Sequence, residues 1–114
     1  MINKDLPFIN KDQIQELLPH REPMLLLDNL YNILPMKSAL GHLKISTNKF
    51  YVQGHFPGQP VMPGVMIVES FGQAAAALAA YSIDKKEVDN KLVYLMSVQN
   101  ARFRKPVLPP CDLY

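Results

Sequence analysis

The sequence predicts an α+β domain in which an antiparallel sheet packs on one long, apolar helix. The segments that resemble strands lie before and after this helix and do not alternate with several helices, which is typical of that class. The helix, predicted from Pro63 to Tyr81, has alanines where a solvated face would carry lysines and glutamates, so we expect it to be enclosed on nearly every side. Edge strands at both ends of the sheet favour association with another subunit.

Length and composition are those of one soluble intracellular domain spanning residues 1–114. The chain is 48% hydrophobic and 19% charged, and its net charge of +2 is too small to indicate a nucleic-acid partner. Its single cysteine, Cys111, cannot form an internal disulfide, which favours the cytoplasm. The first residues do not resemble a signal peptide. Glu69, Ser70 and Gln73 interrupt the longest apolar segment, which argues against a membrane span.

The first half of the chain predicts a short helix and a hairpin. Residues 10–20 are typical of a helix that Asn10 caps and Pro19 ends. Residues 23–34 form a nearly continuous apolar run and predict a buried strand that turns near residues 32–35. Residues 37–46 alternate between two faces and predict the second strand of the hairpin.

The second half begins with a loop rich in glycine and proline, which leads into the long helix. Pro63 suits the first helical turn, because its missing N–H needs no acceptor there. A polar connection follows the helix at residues 84–91. Residues 92–98 and 101–107 then predict two strands joined by a turn, and prolines stop the second of them.

Glu69 is a carboxylate in an apolar setting. On a helical wheel the expected core stripe consists of Ile67, Phe71, Ala74 and Leu78. The other side carries Glu69, Gln73, Ala76 and Ala80. A buried carboxylate must be hydrogen-bonded, paired or protonated, and burial is one way in which a carboxylic acid becomes a proton donor near neutral pH. The alternative is a glutamate at a subunit seam, satisfied by a backbone group.

His55 lies in the stiff loop, between Gly54 and Phe56. Glycine and proline restrict the dihedral angles of this loop, so the imidazole is held in place, as a catalytic base requires. His20 and His42 are interpreted as structural histidines. The three histidines and one cysteine have no metal-ligand spacing, so we expect no metal and no cofactor.

The loop leads directly into a helix N-terminus at Pro63 and Gly64. Free backbone N–H groups at such a position stabilise a developing oxyanion, and Gly64 lets a substrate carbonyl approach closely. The glycines match no dinucleotide or P-loop pattern. A fixed histidine, a buried acid and an oxyanion donor together favour proton removal next to a carbonyl, coupled to protonation of a leaving group.

Three segments resemble the β-hydroxyacyl-acyl carrier protein dehydratases of the FabZ type. They are LLPHREPMLLLD at residues 17–28, GHFPGQPVMPGVMIVESFGQ at residues 54–73 and ARFRKPV at residues 101–107. The resemblance covers about residues 11–107 and implies the hot-dog fold, in which a curved antiparallel sheet wraps a long central helix. It also implies an acyl carrier protein partner, a homodimer whose sites each combine His55 of one subunit with Glu69 of the other, and a trimer of dimers.

The resemblance assigns the catalytic pair to His55 and Glu69, which are 14 positions apart as in the family. Relatives that also isomerise the product have aspartate at the acid position, so Glu69 favours the branch that only dehydrates. Gly64 is expected to stabilise the enolate-like oxygen, and Gln73 is expected to orient Glu69.

The remaining expected substrate-binding residues, Phe56 and Val65, lie in the loop and at the helix start. Arg102 and Arg104 alternate on one face of the predicted strand, with Lys105 beside them. The resemblance suggests that this basic segment docks the acidic carrier protein. A solvated strand face is the alternative.

Two features depart from the family pattern. Pro110 and Cys111 replace the usual glycine and aspartate after the third segment. Family members continue with long strands, so we expect the sheet formed by residues 1–114 to lack the family's last strands. A non-catalytic acyl-binding or assembly subunit and a hot-dog thioesterase are therefore the alternative functions.

Overall fold

The structure is a computed structural model that describes residues 1–83 and 95–114. Within these ranges the elements, in chain order, are α1 (Lys11–Leu17), β1 (Asn29–Leu34), β2 (Ser38–Ile45), α2 (Phe50–Gln53), α3 (Gly64–Ser82) and β3 (Cys111–Leu113). The strands form one antiparallel sheet in the order β1-β2-β3, and α3 packs on it. The predicted α+β class is confirmed.

A capping box starts α1, as the sequence predicted. The Gln13 backbone N–H donates to Asn10 Oδ1 at 3.0 Å, and the Asn10 N–H donates to Gln13 Oε1 at 2.9 Å. These two bonds satisfy N–H groups that a helix leaves without partners at its start. Ile14 is fully buried and joins the helix to the core. The helix ends before Pro19, whose ring does not allow it to continue.

The predicted hairpin is confirmed, with its turn later than expected. β1 pairs with β2 in a register that places Leu30 opposite Gly41. The turn lies at residues 35–37, where Met36 has a positive φ of 61°, and not at residues 32–35. A register shift between Tyr31 and Leu34 accommodates Asn32, whose φ is 54°.

The core lies between α1, the hairpin and α3. Its largest fully buried side chains are Ile14, Leu25, Leu27, Leu30, Ile33, Ile45, Gln73 and Val52. Two of these, Leu25 and Leu27, belong to residues 23–28, a segment predicted as strand that precedes β1. The burial prediction for this segment is therefore confirmed, while the strand itself begins only at Asn29.

The buried face of α3 matches the predicted core stripe in part, because Ile67, Ala74 and Leu78 pack against the core. Ser70, Gln73 and Ala77 are buried, whereas Phe71 is 76% exposed. Gly41 allows the close approach of the helix to β2, because a Cβ there would lie 3.1 Å from Ala74 Cβ. The prediction that α3 is enclosed on nearly every side is wrong for the single chain, since its outward face remains open. Helical periodicity located the side of α3 that meets the core but not the residues at its centre, which are Ser70, Gln73 and Ala77.

By length and composition, α3 is also long and apolar enough to cross a membrane, with a mean hydropathy of 1.2. The core helix of a soluble domain has the same properties. Here α3 contacts β2, α1 and β1, and its buried Gln73 side chain bonds to the segment before β1. These contacts are those of a helix packed within a domain.

The C-terminal part of the described chain corrects two predicted strands. The structure shows no strand at residues 95–98 or at residues 101–107. The predicted connection at residues 84–91 and the start of the predicted strand at residues 92–94 lie outside the described residues. Residues 101–107 are held next to α3 by a bond from Met62 N–H to Val107 O at 2.9 Å. β3 was not predicted, because Pro109 and Pro110 indicated an end; prolines are nevertheless tolerated before an edge strand.

Pro63 was predicted to lie in the first turn of the long helix, but it lies one residue before that helix begins. It is the N-cap of α3, with an extended backbone, and Gly64 is the first helical residue. The helix then runs to Ser82, one residue beyond the predicted end at Tyr81.

Candidate active site

The loop from Gly54 to Met62 holds His55 through backbone hydrogen bonds. His55 N–H donates to Val52 O at 2.9 Å, and Val61 N–H donates to His55 O at 2.8 Å. Inside this loop, Phe56 and Gln59 exchange two further backbone bonds. Both backbone polar groups of His55 are therefore hydrogen-bonded, which holds the histidine in place within the loop.

The hydrogen bond of the His55 ring defines its tautomer. Nδ1 lies 2.9 Å from Val61 O, and a carbonyl oxygen can only accept, so Nδ1 carries the proton. In the neutral ring Nε2 then has a free lone pair, which is what a general base needs. The ring also stacks on Phe56, with a centroid distance of 4.1 Å. Phe56 is thus placed beside His55 and is 55% exposed.

The Glu69 carboxylate is tied to the protein by Gln73, one helical turn later. Gln73 Nε2 donates to Glu69 Oε1 at 3.3 Å and to Met24 O at 2.7 Å. Gln73 Oε1 accepts the N–H of Leu26 at 2.9 Å. Gln73 is only 1% exposed, so it is a buried link between Glu69 and the segment before β1 and is not open to a substrate.

His20 is a neighbour of Glu69 that sequence reasoning missed. Its Nε2 lies 3.7 Å from Glu69 Oε1, and the two side chains are 14% and 24% exposed. Arg21 Nη1 donates to the carbonyls of Leu18 and His20 at 2.8 and 2.7 Å, which fixes the backbone that carries the ring. The available signal was the position of His20 inside the LLPHREPMLLLD segment, but nothing in the pattern indicated a contact with α3.

The N-terminus of α3 lies directly after the His55 loop. A helix supplies no carbonyl acceptor for the N–H groups at its start, so those of Gly64 and Val65 have no acceptor within α3. A Cβ on Gly64 would lie 2.8 Å from the Phe103 ring. Phe103 therefore fills the space on the side of Gly64 where a side chain would project. The expectation that the Gly64 N–H meets a substrate carbonyl stays a prediction. Val65 is 72% exposed.

The basic segment flanks this helix start. Arg102, Arg104 and Lys105 are exposed, and none forms an ion pair with a described residue. They do not alternate on a strand face as predicted, because residues 101–107 are not a strand. Phe103, packed against Gly64, instead positions them beside the His55 loop and the start of α3.

His55 and Glu69 have separate partners in the single chain. No hydrogen bond or ion pair joins them, although both belong to the described residues. The described ranges also contain no group of three histidine, cysteine, aspartate or glutamate residues that could hold a metal ion. The chain thus has three groups suited to catalysis: the imidazole of His55, the carboxylate of Glu69, which Gln73 bonds at one oxygen, and the N-terminus of α3, which lies between them in sequence.

Comparisons with known proteins identify the family. Residues 18–113 match the model of the FabA-like domain. A 3-hydroxyacyl-acyl-carrier-protein dehydratase FabZ of Anaeromyxobacter sp. (strain K) is 48% identical over 90% of this chain and 66% of its own length. The proteins of the same name from Acidiphilium cryptum and Myxococcus xanthus are each 48% identical, over 84% and 85% of this chain and 58% and 63% of their own lengths.

The chain therefore spans 58–66% of the length of these relatives. The match at residues 18–113 includes the second and third segments of the resemblance and the first from Leu18 onward. It confirms both the predicted hot-dog fold and the predicted similarity to FabZ-type proteins. Because the family model matches residues 18–113, the chain belongs to the FabA-like domain family.

Proposed function

We propose that this chain dehydrates β-hydroxyacyl-acyl carrier protein to trans-2-enoyl-acyl carrier protein in fatty-acid elongation, as a hydro-lyase that needs no cofactor. The observation that carries the proposal is that the two side chains suit opposite roles. The Nδ1 bond of His55 leaves a lone pair on Nε2 in the neutral ring, and Glu69 is held at one carboxylate oxygen. The names of relatives at 48% identity support the same reaction.

In the proposed mechanism, His55 Nε2 removes a proton from the carbon next to the thioester carbonyl. The electron pair of that C–H bond moves into the carbonyl, and the Gly64 N–H stabilises the resulting oxyanion. As the double bond forms between the α- and β-carbons, the C–O bond to the β-hydroxyl breaks, and Glu69 protonates the departing oxygen. The products are the enoyl thioester, water, a protonated His55 and a carboxylate at Glu69.

Each site is proposed to combine His55 of one subunit with Glu69 of a second subunit in a homodimer. The separate partners of these two residues in the single chain support this arrangement. The apolar residues exposed on α3, including Phe71 and Val65, offer a surface for the second subunit. A trimer of such dimers in the cytoplasm is the proposed assembly.

The basic segment is proposed to dock the acyl carrier protein. Arg102, Arg104 and Lys105 flank the start of α3, so a carrier bound there would deliver its acyl thioester close to His55. An acidic partner complements their charge, and such contacts act mainly on association.

The test is turnover of a β-hydroxyacyl thioester, followed by the absorbance of the enoyl product. His55→Ala and Glu69→Gln should each lower kcat by about 100-fold or more, because each removes a proton-transfer group. Glu16→Gln, which neutralises an exposed glutamate on α1, is the matched control and should keep wild-type activity.

Near-normal enoyl formation by either variant would refute the catalytic assignment. Release of free thiol in place of an enoyl product would indicate a thioesterase. Binding of the acyl chain without turnover would indicate an acyl-binding subunit.

A further inference from the structure

We propose that His20 positions Glu69 for proton transfer by donating a hydrogen bond from Nε2 to Glu69 Oε1. The inference rests on the proposed dehydration and adds a residue to its acid side. His20 approaches from the end of α1, whereas Glu69 lies on α3, so the contact joins two elements that are distant in sequence.

The geometry places both donors around Glu69 on the same oxygen. Gln73 Nε2 lies 3.3 Å from Oε1, and His20 Nε2 lies 3.7 Å from it. Among the described residues, Oε2 has no hydrogen-bond partner. A neutral carboxylic acid with Oε1 accepting two N–H bonds therefore has its proton on Oε2, which is free to face the departing hydroxyl.

The separation of 3.7 Å is longer than a hydrogen bond and within the range of an ion pair. Catalytic contacts are often long before substrate binds and shorten in the complex. We expect a rotation of either side chain to close the remaining distance when substrate binds.

The environment of the ring fixes which nitrogen carries the proton. His20 Nδ1 is buried and has no hydrogen-bond partner among the described residues. An orphaned buried N–H is rarer and costlier than an unpaired acceptor, so Nδ1 is the lone-pair nitrogen and Nε2 carries the hydrogen. That N–H faces Glu69.

The backbone around His20 is fixed independently of the ring. Pro19 precedes it, and Arg21 Nη1 bonds the His20 carbonyl at 2.7 Å and the Leu18 carbonyl at 2.8 Å. The imidazole is therefore held at the end of α1 before any substrate arrives, which is what positioning of the acid requires.

The first test compares two substitutions in the full chain. His20→Phe keeps a planar ring and removes the donor, and it should lower kcat about 10- to 100-fold with KM little changed. His20→Gln restores an N–H donor and should recover part of the loss. His42→Phe, which removes a histidine that contacts Asp112, is the matched control and should keep kcat near the wild-type value.

A second test observes the contact without activity. The ¹⁵N and ¹H resonances of the imidazoles should show the His20 proton on Nε2, and this signal should shift in Glu69→Ala but not in Glu16→Gln. The melting temperatures of all variants separate misfolding from a catalytic effect.

The outcomes distinguish this inference from the proposed function. Wild-type kcat in His20→Phe, with Glu69→Gln inactive, would overturn the inference and leave the dehydration intact. A His20 proton on Nδ1, or no shift in Glu69→Ala, would also overturn it. A wild-type chain that forms no enoyl product would instead remove the proposed function, whatever the resonances show.

Discussion

Gln73 joins α3 to the segment before β1 through one amide group. It accepts the N–H of Leu26, donates to Met24 O and reaches Glu69 Oε1, while only 1% of it is exposed. Buried polar groups are stable only when their hydrogen bonds are satisfied, and this amide satisfies the backbone of the segment before β1. The orientation of Glu69 and the anchoring of that segment therefore depend on the same side chain.

Replacing Gln73 with leucine should destabilise the protein. The change leaves the Leu26 N–H and the Met24 carbonyl without partners, and each buried unpaired group costs about 1–3 kcal/mol. We expect the free energy of unfolding, measured by urea denaturation, to fall by about 2–6 kcal/mol. Gln15→Leu on α1, whose side chain bonds no described residue, should change it by less than about 0.5 kcal/mol. Equal effects of the two substitutions would contradict this role.

At the scale of elements, short helices depend on their ends. α1 has 7 residues, so its intrinsic propensity is small, and its stability comes from the capping box and from the burial of Ile14. Its end is followed closely by His20, whose Nε2 lies 3.7 Å from Glu69 Oε1 on α3. The start of this helix therefore affects how accurately its end presents His20.

Asn10→Ala should test the cap. The substitution removes the acceptor for the Gln13 N–H, and losses of this kind cost about 1 kcal/mol. Asn10→Asp keeps an acceptor oxygen and should retain most of the stability. The midpoints of urea or thermal unfolding give the comparison, and an alanine variant as stable as wild type would show that the cap has no energetic role.

At the scale of the molecule, the main feature is the side of α3 that does not pack on the sheet and exposes apolar side chains. Phe71 is 76% exposed and Val65 is 72% exposed, and both lie on the helix that carries Glu69. We propose that this exposed apolar surface is an interaction site. If a second subunit covers it, the same contact brings the two halves of the proposed site together.

Phe71→Glu should convert the proposed dimer to a monomer and remove dehydration, because a charge cannot be buried in that interface without a partner. Native mass spectrometry and sedimentation report the assembly, and the enoyl absorbance reports activity. Met36→Glu, in the turn between β1 and β2 and 69% exposed, is the control and should remain a dimer. A monomeric wild-type protein, or a dimeric Phe71→Glu variant, would contradict this arrangement.

The sequence by itself determined the features that depend on near neighbours and on spacing. The cap at Asn10, the β1–β2 hairpin, the long helix and the family could all be predicted from residue type, periodicity and motifs. The assignment of His55 and Glu69 as base and acid also came from the sequence and stays a prediction. The cap, the hairpin and the helix needed information from neighbouring positions only, whereas the family and the catalytic pair needed motifs spread over residues 17–107.

Only the tertiary structure decided which distant residues meet. It showed that Gln73 faces the segment before β1, that Phe103 fills the space at Gly64, and that His20 approaches Glu69. It also placed Phe71 outside the core and left residues 101–107 without strand pairing. The physical reason is that helical and strand periodicity define faces, whereas the choice of the face that is buried depends on packing against elements far away in the chain.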